Sequence, residues 1–68
     1  MDSTPRQNSL VRYVFDYKEH PFDKNKTYVF LGEISQMPGH CIVADYKSGQ
    51  IFCGYHTDNF EEIPEDEC

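Results

Sequence analysis

Apolar and polar residues alternate in short runs along this chain, and turn-forming clusters separate the runs. Residues 10–17 (LVRYVFDY) set Val11, Tyr13, Phe15 and Tyr17 on one side, with Leu10, Arg12, Val14 and Asp16 on the other. A period of two, carried by β-branched and aromatic residues, predicts a strand with one aromatic face. Residues 18–26 are charged, contain Pro21 and keep Phe22 as their only apolar anchor, so they read as a loop. Residues 27–34 predict a second strand. Tyr28, Phe30 and Ile34 share one face with Gly32, while Val29 and Leu31 lie on the other. Apolar residues on both faces suit a central or barrel strand. Gly32 suits a bulge where the sheet bends. Pro38-Gly39 fits the central positions of a type II turn.

Residues 40–46 and 50–56 predict a hairpin around Lys47-Ser48-Gly49. A two- or four-residue loop places Ile42, Ala44, Ile51, Cys53 and Tyr55 on one face, with Val43, Asp45, Phe52 and Gly54 on the other. A three-residue loop with Gly49 left-handed would mix these sets. The first register is expected because it segregates the faces better, and in it Cys53 points into the core. Thr57-Asp58-Asn59-Phe60 reads as one helical turn, capped by the Thr57 hydroxyl, with Phe60 closing the end of the domain. Glu62-Ile63 adds a last short strand. No repeat and no amphipathic helix of useful length is present. The expected organisation is a flexible arm at 1–9, one all-β domain at 10–63 and an acidic tail at 64–68.

Sixty-eight residues allow one domain. A core of this size supplies roughly 3–5 kcal/mol, and five Tyr and five Phe are its large fillers. The formal net charge of −6 disfavours direct contact with a phosphate backbone. It suits a basic protein partner, including a surface that normally holds nucleic acid. Glu61, Glu62, Glu65, Asp66 and Glu67 crowd the C-terminal end and read as a solvated tail, or alternatively as a phosphate-mimicking patch. The first residues lack the apolar stretch of a signal peptide, and no run approaches bilayer length, so no membrane association is expected. Three cysteines, an odd number, suggest free thiols in a reducing cytoplasm.

Two motifs carry a resemblance. Gly54-Tyr55-His56-Thr57-Asp58-Asn59-Phe60 resembles the Gly-Tyr/Trp-(Ile/Phe)-Pro-Ser-Asn-Tyr segment that ends SH3 domains. There the segment closes the penultimate strand and forms a single 3₁₀ turn before the last one. Phe15-Asp16-Tyr17, followed by a charged loop, is similar to the Ala-Leu-Tyr-Asp-Tyr entry of the same domains. Tyr28-Val-Phe-Leu-Gly32, the Lys47-Ser-Gly49 turn and Asp58-Asn-Phe-Glu61 also look like uncharacterised bacterial and phage proteins of SH3-like build. The resemblance implies a small SH3-like barrel of about five strands with a single helical turn before the last strand. It also implies a phage or prophage accessory protein. The chain has no tryptophan, and His56-Thr57 replaces the hydrophobic-proline pair. Both departures weigh against a proline-binding groove.

Candidate chemistry is sparse. His40, Cys41, Cys53 and His56 give H-C-x₁₁-C-x₂-H, the right residue types for zinc. The spacing is not that of paired ligands on tight turns. Adjacent His40 and Cys41 face opposite sides of a strand. In the expected register Cys41 and His56 share a face and Cys53 takes the other, so at most two ligands converge. Neither a structural metal site nor any other cofactor is expected. A Cys41–Cys53 disulfide fails by the same geometry, and catalysis by a Cys–His pair is not expected in so small a domain. The aromatics exceed what a small barrel can enclose, and surface tyrosines favour interfaces. The expected function is therefore a non-enzymatic module that docks on a host protein and inhibits it. Tyr13, Tyr17, Tyr28, Tyr46 and Tyr55 are its contact candidates, and Asp45, Asp58 and Glu61 its charged rim. Nucleic-acid mimicry and homo-oligomerisation through an exposed sheet edge are the alternatives.

Overall fold

A computed structural model describes residues 5–64. Five strands form one antiparallel sheet: β1 (Leu10–Tyr13), β2 (Tyr28–Glu33), β3 (His40–Asp45), β4 (Ile51–His56) and β5 (Phe60–Glu62). Their order across the sheet is β4-β3-β2-β1-β5, and a 3₁₀ turn at Thr57–Asn59 joins β4 to β5. The all-β class expected from the pattern is the class observed. No helix among the described residues is long and apolar enough to cross a membrane.

Of the arm expected at 1–9, residues 5–9 are described, and they are tied to the sheet. Pro5 is buried. The Asn8 amide donates to the Phe30 carbonyl at 2.6 Å, and the Phe30 amide donates to the Ser9 carbonyl at 2.9 Å. Of the acidic tail expected at 64–68, only Pro64 lies within the described residues.

The core is Val11, Tyr13, Tyr28, Phe30, Cys41, Val43 and Phe60, with Phe22, Phe52 and Tyr55 packed against it. β1 stops at Tyr13, earlier than the alternation predicts. There the Val14 amide turns to the Asn59 carbonyl at 2.9 Å, which leads the chain off the ladder and into the loop that carries Phe22.

The sheet is coiled, not flat. Four strand spacings would hold β4 and β5 roughly 19 Å apart in a flat sheet. Yet the Phe22 ring lies 4.8 Å from Tyr55 on β4 and 5.0 Å from Phe60 on β5. No backbone pairing joins β4 to β5 among the described residues. The backbone closure expected of a barrel is not seen among the described residues; aromatic rings bridge β4 and β5.

Two bulges shape the coil. One falls between Phe30 and Gly32, where Gly32 has φ 139°, as the sequence suggests. The other lies opposite Cys41 and Ile42, at Gly54 with φ 85°. Before it the register is Ala44↔Ile51, Val43↔Phe52 and Ile42↔Cys53. After it the register is Cys41↔Tyr55 and His40↔His56. The four-residue loop keeps the first part of the expected register: the Asp45 amide donates to the Gln50 carbonyl at 2.8 Å. The extra residue then reverses the rest, because the side-chain period is two. Tyr55 moves to the core side, away from the Cys53 face on which it was expected. Cys53 is exposed, and fully buried Cys41 takes the place in the core expected for Cys53.

The 3₁₀ turn is capped by His56 and not by Thr57. His56 Nδ1 accepts from the Asp58 amide at 3.2 Å, while Thr57 is buried. Phe60 is buried, as expected, and already belongs to β5.

The closure argument gives a direct expectation. Phe22→Ala should cost about 3 kcal/mol in urea unfolding, a large share of the stability of a domain this size. Tyr46→Ala, at a ring 60% exposed, should stay within about 0.5 kcal/mol of the parent.

Candidate functional site

The loop after β1 places an aromatic row on the surface. Its anchor is the buried Tyr13, whose phenol oxygen accepts from the Tyr17 amide at 3.2 Å and hydrogen-bonds His20 Nδ1 at 2.8 Å. A core residue thus fixes both the backbone of Tyr17 and the ring of His20. Phe15 and Tyr17 pack at 5.4 Å between centroids, Tyr17 and His20 at 5.3 Å, and His20 and Tyr55 at 5.5 Å. Tyr55 is held from below by Phe22 and by the register that Gly54 imposes. Phe15 is 37% exposed and Tyr17 54%. The row Phe15–Tyr17–His20–Tyr55 is therefore continuous and partly in solvent.

At the Phe15 end the row opens into a shallow groove of about 590 Å³, lined by Val14 and Phe15 on one side and by Asp58, Glu61 and Glu62 on the other. Glu61 forms an exposed ion pair with Arg12 at 3.2 Å. Glu62 accepts from the Arg6 side chain at 2.7 Å and from its amide at 3.0 Å. These bonds hold the Glu62 carboxyl below the usual carboxylate range. Asp58 is exposed beside His56. Aromatic rings with acids along one flank can hold a segment that carries apolar and cationic groups together.

The other candidates lie elsewhere. Tyr13 and Tyr28, expected at the surface, are 2% and 1% exposed because alternation from Val11 and toward Phe30 drives them inward. Their hydroxyls are used internally, that of Tyr28 accepting from the Asp23 amide at 2.9 Å. Tyr46 and Asp45 stand at the β3–β4 loop, the opposite end of β3 from Tyr55. Asp45 Oδ1 accepts from the Lys47 amide at 2.8 Å and the Ser48 amide at 3.0 Å. The Ser48 and Lys47 amides depress its pKa, so its carboxylate closes the turn. His20 went unrecognised in the sequence. Nothing in a charged loop signals that one of its residues reaches back to a tyrosine in the preceding strand.

The His/Cys group is split. Cys41 lies in the core, its thiol pushed up to about 11 by burial and secondarily by the charge of Glu33. Cys53 is exposed on the outer face. The two are free and on opposite sides of the sheet. Cys41 and His56 do not share a face as expected. The Gly54 bulge pairs His56 with His40 instead, with ring centroids 5.4 Å apart. No three or more His, Cys, Asp or Glu side chains converge on a metal position among the described residues.

No protein-family model, no curated protein and no solved structure matches the chain.

The split cysteines give a pH-readable expectation. Burial takes the Cys41 thiol from its ordinary 9.0 to about 11, which at pH 8 lowers its thiolate on the order of 100-fold and also shields it from reagent, whereas Cys53 is exposed. In a Cys68→Ser background Cys53 should react with a disulfide reagent at least that much faster than Cys41, as followed by mass spectrometry. Equal rates would show that Cys41 is not sealed in the core.

Proposed function

We propose that the chain is a non-enzymatic protein-binding module that docks through the row Phe15–Tyr17–His20–Tyr55 and its acidic flank. The observation that carries this reading is the continuity of four rings partly in solvent, with the His20 ring and the Tyr17 backbone fixed by a buried hydroxyl. Rings held in place lose little freedom on binding, which favours affinity. The net charge of −6, with exposed Asp16, Glu19, Asp58 and Glu61 near the row in the sequence or lining its groove, favours a partner with a basic surface. The motif resemblance supports a phage or prophage accessory protein that docks on a host protein in the cytoplasm and inhibits it. Occupation of a nucleic-acid-binding surface is the second reading, supported by the same acidic balance.

Affinity capture from bacterial lysate should return a basic protein with the parent chain. Phe15→Ala/Tyr17→Ala should lower that capture at least tenfold while the urea midpoint is held, because neither ring belongs to the buried core. Capture unchanged by the double substitution would remove the row from the interface. A steep loss with salt, together with displacement by DNA or RNA, would favour the second reading. A dimer in sedimentation at low concentration would favour self-association.

A further inference from the structure

We propose that His40 and His56 form an exchangeable surface site for one divalent ion of the zinc, nickel or copper class, bound through both Nε2 atoms. The two residues pair directly across β3 and β4, beyond the Gly54 bulge, and both side chains leave the core face: their neighbours Cys41 and Tyr55 take it. The ring centroids are 5.4 Å apart. Two imidazoles that share a tetrahedral ion at about 2.0–2.1 Å hold their centroids roughly 5 Å apart, so the ring spacing is that of a chelating pair.

The outer nitrogen of His40 is engaged in the way a metal-bound imidazole requires. His40 Nδ1 meets the Pro38 carbonyl at 3.3 Å. A carbonyl can only accept, so this contact selects the tautomer with its lone pair on Nε2. His56 Nδ1 accepts from the Asp58 amide at 3.2 Å and lies 3.5 Å from the Asp58 carboxylate. That amide bond places the ring proton on Nε2; metal there would displace it and exchange the cap on the 3₁₀ turn for an Nδ1–H contact with the carboxylate, giving a carboxylate–histidine–metal chain. A Cβ at Gly39 would sit 3.4 Å from His56 Nε2, so glycine keeps a side chain off that nitrogen. Imidazole suits zinc, copper and nickel better than magnesium or calcium. Two protein ligands leave the other positions to water, so the ion exchanges and does not staple the fold.

The test uses the full chain with Cys53→Ser and Cys68→Ser, so that thiols do not compete. Titration with zinc sulfate at pH 7.5, followed by ¹H–¹⁵N spectra of the imidazoles, should move the Nε2 signals of His40 and His56 together and saturate at one ion per chain. His40→Ala and His56→Ala should each weaken binding at least tenfold, and His20→Ala should leave it unchanged. Asp58→Asn should weaken it less than either histidine substitution. Three results would each overturn the proposal: no shift at tenfold molar excess of zinc, a shift of one histidine alone, or equal dependence on His20. The readout is separate from partner capture, so neither proposal stands or falls with the other.

Discussion

The contact on which the rest of this structure depends is the packing of Phe22 across the open side of the sheet. Its ring lies 5.2 Å from Tyr13, 5.4 Å from Tyr28, 5.0 Å from Phe52, 4.8 Å from Tyr55 and 5.0 Å from Phe60. Those rings come from β1, β2, β4 and β5, so one loop residue joins β4 to three strands with which it shares no backbone pairing. Edge-to-face pairs contribute about 0.5–1.5 kcal/mol each beyond their burial, which is substantial against the few kcal/mol a domain of this size holds. The same contact orders the functional surface. With Phe22 seated, the loop is drawn over the sheet, His20 reaches Tyr13, and Tyr55 stands beside His20. Stability and the candidate interface thus share a single support.

Most of the fold was legible in the sequence for simple reasons. Period-two alternation places Val11, Tyr13, Tyr28 and Phe30 inward, and Gly32, Gly39 and Gly49 sit at the positive-φ positions that bulges and turns require. What alternation cannot report is a change of phase. Gly54 looks like an ordinary member of β4, yet the bulge there exchanges the faces of Tyr55 and His56 relative to Cys53. The insertion accounts for Tyr55 inside and His56 opposite His40, whereas Cys53 lies outside and Cys41 inside because the face of Val43 and Phe52, not that of Ile42 and Ile51, is the core. The candidate surface was legible in part. Phe15 and Tyr17 share a side by alternation, whereas His20 joins them only through a long loop whose path no local rule describes.

The molecule presents two chemically different regions that the fold keeps apart. The aromatic row lies where the loop after β1 meets the core-facing side of β4. The histidine pair lies on the outer side of the same strand. Adjacent residues, Tyr55 and His56, contribute to both, one to each side of the sheet. The β3–β4 loop belongs to neither region: there Asp45 turns its carboxylate back on the Lys47 and Ser48 amides and gives up its role in a charged rim.

Gly54 has a consequence for the behaviour of the chain in a crowded solution. β4 is an outer strand of the ladder, and a regular run of six residues with free amides and carbonyls would template addition of a strand from another molecule. The bulge breaks the donor–acceptor spacing midway. An incoming chain in register with Ile51–Cys53 falls out of register at Tyr55 and His56. The residue that aims Tyr55 inward therefore also makes this edge a poor seed for fibrils.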